Sequence, residues 1–311
     1  DVFEYFIDKM GIKLAAKDDK EKEELLTKMA RSVEGSSPVD IMYMLEIANA
    51  VIQERNKDKV GFEDFVEAFL QATSGRANVM KEDYRRKEIV TAHETGHAIV
   101  NTVMEEIAKE NGLFQELPNE LDFITLDPRG NYGGANYFRR SENGEINLST
   151  VISELATSYG GHSVEKIMYG MDGSWGISGD AEMIGSLANQ AVTMMGMGKR
   201  TGVRRILPNE RVSEAKKEAM EKDIDEMCEA GKFISDTIVR TYRPFIEQFT
   251  NKHAIDAGTG KCLIPREQFE KELEEYRATL SPDDQKEIQR MKEAINGKME
   301  ALKTKQPDHK A

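Results

Sequence analysis

One stretch limits the folds open to this chain more than any other. Thr91-Ala92-His93-Glu94-Thr95-Gly96-His97-Ala98-Ile99-Val100 sets His-Glu-x-x-His inside an apolar run. If the run is helical, His93 and His97 fall one turn apart on one face, with Glu94 beside them. Two imidazoles at that spacing can share one metal ion. Zinc held by two neutral imidazoles and a third protein ligand keeps a fourth position for water. It lowers the pKa of that water from about 15.7 towards roughly 7, and a nearby carboxylate can then remove the proton. Glu94 stands where that carboxylate is needed. The alternative is a surface helix carrying the three residues by chance, and Ile89, Val90, Ala92, Ala98, Ile99, Val100 and Val103 argue against it. A polar trio embedded among apolar residues must find partners in the interior.

The chain has 311 residues, enough for two domains and a substantial core. Asp and Glu number 56 against 43 Lys and Arg, a net charge of −13. No broad basic footprint is left for nucleic acid or an anionic membrane, so neither is expected as a partner of this chain. Cys228 and Cys262 stand far apart and in no metal-ligand spacing, the pattern of a reduced intracellular protein. No apolar run approaches the length that crosses a bilayer. The chain opens at Asp1 inside a helical pattern, as a piece of something longer would.

Residues 1–78 are expected to be all helical. Ser37-Pro38-Val39-Asp40 is a helix start, with Ser37 as cap and Pro38 in the first turn. Ile41, Met44, Leu45, Ala48, Val51 and Ile52 then follow the helical period, and Phe62, Phe65, Val66, Phe69 and Leu70 form a second stripe. The pattern breaks at Thr73-Ser74-Gly75-Arg76, the expected domain boundary. After the motif helix, Leu121-Asp122-Phe123-Ile124-Thr125-Leu126 alternates as a strand, Asp127 to Gly134 has turn chemistry, and Ala135-Asn136-Tyr137-Phe138 is a candidate returning strand. Such a hairpin either offers its edge to an extended peptide or only covers the core.

Leu148 to Ser158 resumes the helical period with Val151, Ile152, Leu155 and Ala156. His162, beside two glycines, is a candidate ligand, although a packing role is the commoner one for such a residue. The glycine-rich loop from Gly170 to Gly179 ends on Asp180, which falls in the first turn of a helix marked by Ile184, Leu187, Ala188, Ala191 and Met195. Asp180 either complements that helix dipole or completes a zinc site of two histidines and a carboxylate. Spacing alone does not choose. From Asn209 the chain is helical and charged, with Met227, Ile234, Ile238, Tyr242, Phe245 and Phe249 on one face and Pro244 expected to kink or end the helix. Gly258-Thr259-Gly260-Lys261 lacks the residues of a phosphate loop and reads as a turn. Residues 281–311 are expected to form a solvated helix that frays into a tail.

Several of these stretches, in order, resemble the peptidase domain of FtsH-type AAA metalloproteases. They are His93 to Val100, Pro128-Arg129-Gly130, Gly160-Gly161 with Glu165 and Tyr169-Gly170, and Ser178-Gly179-Asp180 followed by Ala191 to Met197. Glu34 to Asp40 and Gly61 to Phe65 are similar to the small helical lid subdomain of an AAA ATPase module. The resemblance implies a mainly α fold with a small β hairpin or sheet. It implies a lid-like subdomain over 1–78, a mostly helical zinc metallopeptidase domain over 79–280 and a charged C-terminal tail over 281–311. It further implies zinc on His93, His97 and Asp180, with Glu94 as general base.

By the same resemblance, the parent is an ATP-dependent endopeptidase that degrades unfolded or membrane proteins as a homo-hexamer. The chain has no Walker loop, so ATP would enter only through an upstream domain. The parent would be anchored in a membrane that this part does not itself touch, with this part in the cytoplasm or an organelle interior. His162, where the family usually has Arg, and Lys166, where it usually has an acidic residue, depart from the pattern, and the segment from Glu106 to Pro118 is longer than usual. Those departures keep open a catalytically inactive scaffold of an AAA ring. A zinc hydrolase with a non-peptide substrate is a third reading.

Overall fold

A computed structural model describes residues 2–78, 84–112, 117–130, 132–140, 144–171, 175–207, 210–260 and 262–303. They are mainly helical with one small sheet, the expected fold class. The centre of the glycine-rich loop at 172–174, part of the long segment before Pro118 at 113–116, Lys261 and the expected tail from 304 lie outside the described residues. The chain divides into two compact units, one of Asp1–Lys81, Asp127–Gly133 and Gly258–Leu263, the other of the remainder.

In the first unit α1 (Val2–Met10), α2 (Asp19–Ser32), α3 (Pro38–Glu54) and α4 (Phe62–Ser74) enclose a core that includes Phe3, Ile7, Met29, Leu45, Val60 and Phe65. Helix α3 starts as expected. Ser37 accepts from the Asp40 N–H, Asp40 accepts from the Ser37 N–H, and Pro38 occupies the first turn. Helix α4 ends at Ser74, and Gly75 follows at φ +85°, a conformation open to glycine.

Two later segments belong to this unit. Arg129 is fully buried, donating to Glu67 Oε2 at 2.7 Å and to the Gly75 carbonyl at 2.9 Å. Asp127 accepts the backbone N–H groups of Gly260 and Cys262. The Pro128-Arg129-Gly130 motif therefore has a bracing role within this unit, and the Gly258–Gly260 turn is held by a carboxylate more than a hundred residues earlier in the chain.

The second unit is built on α5 (Tyr84–Asn111), in which every residue from Thr91 to Glu105 is buried. A helix with no solvated face must be enclosed on all sides. Strands β1 (Asn119–Thr125) and β2 (Ala135–Arg140) pair antiparallel with a bulge between Leu121 and Phe123. Then come α6 (Leu148–Ser158), α7 (Gly160–Tyr169), a 3-10 turn at Trp175–Ile177, α8 (Ser178–Thr193), α9 (Glu214–Thr241) and α10 (Arg243–His253). Strand β3 (Leu263–Pro265), α11 (Arg266–Ala278) and α12 (Pro282–Lys303) complete the chain, with strand order β2-β1-β3. Helices α6, α7 and α10 pack on α5, and α9 packs on α6, α7 and α8. The stripe from Met227 to Phe249 is buried but spans two helices, because Pro244 opens α10 where α9 has ended. The expected solvated helix near the C-terminus is present as α12, but it buries Met291, Ile295, Met299 and Leu302 and packs on α9.

Candidate metal centre

His93, Glu94 and His97 lie in the enclosed part of α5 and are only 9%, 7% and 7% exposed. A different element turns each imidazole. Nδ1 of His93 is 2.8 Å from Oε1 of Glu165 on α7, and Nδ1 of His97 is 2.7 Å from the Thr157 carbonyl in the last turn of α6. That carbonyl lies at a helix end, where carbonyl oxygens keep capacity to accept from side chains. Carbonyls and carboxylates only accept, so in both rings Nδ1 carries the hydrogen. The two Nε2 atoms then face each other 3.1 Å apart.

Asp180, in the first turn of α8, brings Oδ2 to 3.2 Å from Nε2 of His93 and 3.4 Å from Nε2 of His97. That oxygen is buried and accepts no hydrogen bond among the described residues. The N-cap residue of α8, Ile177, has no polar side chain to cap the helix. Three electron-rich atoms so close together need a cation among them. Donors about 2.0–2.2 Å from a tetrahedral zinc stand roughly 3.3 Å apart, so the three atoms fit three corners of a zinc site and leave the fourth open.

In the metal-free state a proton serves in part as that cation. Burial alone would lower His93, but its contacts with Asp180 and Glu165 outweigh burial and push it up to about 10. Conversely, despite its own burial, Asp180 is held well below the usual carboxylate range by His97 and His93. Metal must displace that proton, so binding weakens in acid. Burial raises the Glu94 carboxyl against the pull of the two histidines.

The close approach of α5 and α7 depends on glycine. A Cβ on Gly96 would sit 2.5 Å from the Gly160 carbonyl oxygen, and one on Gly161 would sit 2.3 Å from the His93 ring. Backbone therefore meets backbone, and Glu165, one turn beyond Gly161, reaches His93. On the other side of Glu94 is β2. Asn136 Nδ2 donates to Glu94 Oε2 at 2.7 Å and to the Glu94 carbonyl at 2.9 Å.

The structure thus brings together His93, His97 and Asp180, with Glu94 adjacent in sequence to His93. His162 is not in the cluster. Its ring centroid is 6.4 Å from that of Tyr159, and burial, with Lys232, lowers its pKa. Sequence reasoning assigned no role to Asn136 and none of its own to Glu165. A carboxylate expected inside a helix packed on the motif was the available signal for Glu165, and a strand asparagine gives none.

The family model for peptidase family M41 matches residues 79–253. The chain is 32% identical over 182 residues to the ATP-dependent zinc metalloprotease FtsH of Chloroflexus aggregans, covering 56% of this chain and 26% of that protein. It is 29% identical over 185 residues to ATP-dependent zinc metalloprotease FtsH 3 of Synechocystis, covering 57% and 28%. With the homologue of Syntrophus aciditrophicus the identity is 27% over 191 residues, covering 61% and 24%. The chain thus matches about a quarter of the length of these relatives. Among the described residues no helix is long and apolar enough to cross a membrane. A match that spans the motif helix, the hairpin and every element around the cluster means that the chain belongs to peptidase family M41 and carries the peptidase domain of an FtsH-type zinc metalloprotease.

Proposed function

We propose that this chain is the proteolytic part of an ATP-dependent endopeptidase, with Zn²⁺ on His93, His97 and Asp180 and Glu94 as general base. The observation that carries the reading is the convergence of two imidazole Nε2 atoms and a buried carboxylate oxygen at tetrahedral spacing. Zinc held by these three residues would supply the Lewis acid that polarises a peptide carbonyl and acidifies the attacking water. Glu94 takes one proton from that water as its oxygen bonds to the carbonyl carbon. It then gives the proton to the departing nitrogen as the C–N bond breaks. Glu165 and the Thr157 carbonyl hold the imidazoles in the ligating tautomer.

The relatives are named as ATP-dependent and are about four times as long as the stretch they share with this chain. That supports a parent in which a separate ATPase part, assembled as a homo-hexamer and anchored in a membrane, delivers unfolded or membrane proteins to this site. The lid-like 1–78 region would connect the two.

The test is zinc per chain together with cleavage of unfolded casein, for wild type, Glu94→Gln and Asp180→Asn. Glu94→Gln should keep its zinc and lose cleavage, and Asp180→Asn should bind zinc weakly. Full zinc content with unchanged cleavage in Glu94→Gln would overturn the mechanism. A metal-free, inactive wild type would favour the scaffold.

A further inference from the structure

We infer that Asn136 receives the nitrogen of the scissile peptide bond, with its Nδ2 holding Glu94 in place and its Oδ1 accepting the N–H of that nitrogen. The inference rests on the zinc-peptidase reading. Asn136 is the second residue of β2, paired with Ile124 of β1. Its Nδ2 is shared between the Glu94 backbone carbonyl at 2.9 Å and the Glu94 carboxylate at 2.7 Å. The backbone carbonyl can only accept, so the amide cannot be turned over. The identity of the nitrogen is fixed by chemistry. The strand is pressed hard against this turn of α5, since a Cβ on Gly134 would stand 3.0 Å from both Glu94 Cγ and Val90 Cγ1.

With the nitrogen committed to Glu94, Oδ1 is left buried and without a hydrogen-bond partner among the described residues. Buried acceptors are rarely left so, and one beside a reacting carboxylate calls for a ligand. Within one amide the two atoms are roughly 2.3 Å apart, so Oδ1 is at most about 5 Å from the Glu94 oxygen that would carry the transferred proton. The waiting acceptor and the proton donor are therefore neighbours.

A scissile amide nitrogen has one N–H. If Oδ1 accepts it, the nitrogen lone pair is free to turn towards Glu94. As the C–N bond breaks, its electron pair stays on nitrogen and the proton taken from water by Glu94 completes the amine. The hydrogen held by Oδ1 is never transferred. Asn136 thus orients the leaving group and its base at once.

The test compares two peptide analogues that differ in one atom, a phosphonamidate with –NH– at the scissile position and the matching phosphonate ester with –O–. Binding of each to the zinc-loaded chain is measured calorimetrically. Wild type should prefer the –NH– analogue at least tenfold. Asn136→Ala, with zinc content and melting temperature unchanged, should bind the two about equally and lose roughly a hundredfold in kcat/KM on a peptide. Equal affinities in wild type would overturn the inference whatever the variants do, as would an undiminished preference in zinc-loaded Asn136→Ala. A wild type that binds zinc but neither analogue would instead take down the underlying peptidase reading, and the inference with it.

Discussion

Replacing Gly161 with alanine tests whether the packing of α7 on α5 sets the position of the first histidine. The new methyl would lie 2.3 Å from both Cε1 and Nε2 of His93. Non-bonded carbon contacts settle near 3.5 Å, so ring or helix must yield by about 1.2 Å. Zinc–ligand distances tolerate only about 0.2 Å. The ring has no free direction to swing, because its Nδ1 is held at 2.8 Å by Glu165, one turn along the same helix. If α7 moves instead, it carries Glu165 away from the ring. Either response removes a ligand or its support, so the zinc dissociation constant should rise at least a hundredfold, about 2.7 kcal/mol. Overpacking adds a folding cost of about 1–3 kcal/mol. Competition with a chromophoric chelator reads the affinity, and circular dichroism reads the fold. Gly179→Ala is the control, because a Cβ there meets nothing within 4 Å although Asp180 is the next residue. Zinc binding by a folded Gly161→Ala chain within about threefold of wild type would mean that His93 does not depend on the glycine face of α7.

Glu165→Gln leaves an acceptor for His93 Nδ1 but removes the charge, and should weaken zinc binding about 10–100-fold in the same competition assay, with the fold intact. Asp64, 2% exposed, accepts from Arg55, Lys57 and the Gly61 N–H. These contacts outweigh its burial and hold its carboxyl below the usual value of 3.8. A depressed folded pKa stabilises above the unfolded value and is lost as pH falls through the folded one. The advantage of wild type over Asp64→Asn, about 2 kcal/mol at neutral pH by urea unfolding, should therefore persist down to about pH 3.8 and disappear below it. Arg129→Leu strands Glu67 without its buried cation and should cost about 3–5 kcal/mol in unfolding experiments, and adding Glu67→Leu should restore much of the loss.

What was legible in the sequence was local. The boundaries of α6 match the periodic stretch Leu148 to Ser158 residue for residue, Ser37 caps α3 as its hydroxyl allows, and the break at Gly75 is a real helix end. The motif histidines were legible because one turn of helix puts them together. The use of Gly160 and Gly161 was not legible in the sequence. Alone in a sequence such a pair signals a turn, and its use here, to let one backbone touch another, depends on a helix sixty residues earlier. The same distance hides the bond between Asp127 and Cys262, 135 residues apart. In α12 the stripe of Met291, Ile295, Met299 and Leu302 was outweighed by the charges around it, because mean polarity says nothing about which face is polar.

The arrangement around the cluster also indicates how metal and fold depend on one another. His93 and His97 are held without metal, since Glu165 and Thr157 orient them and α5 is enclosed on every side. Asp180 is held differently. Its Oδ2 has no hydrogen-bond partner among the described residues, and its helix is fixed by packing on α6 and α9. A charge attracted to two imidazoles across more than 3 Å is a weaker tether than a short hydrogen bond. Two of the candidate ligands are thus held by short hydrogen bonds, and the third by charge and by the packing of its helix. A helix start at this position suits the carboxylate, because the N-terminal dipole favours its negative charge without a hydrogen bond to Oδ2.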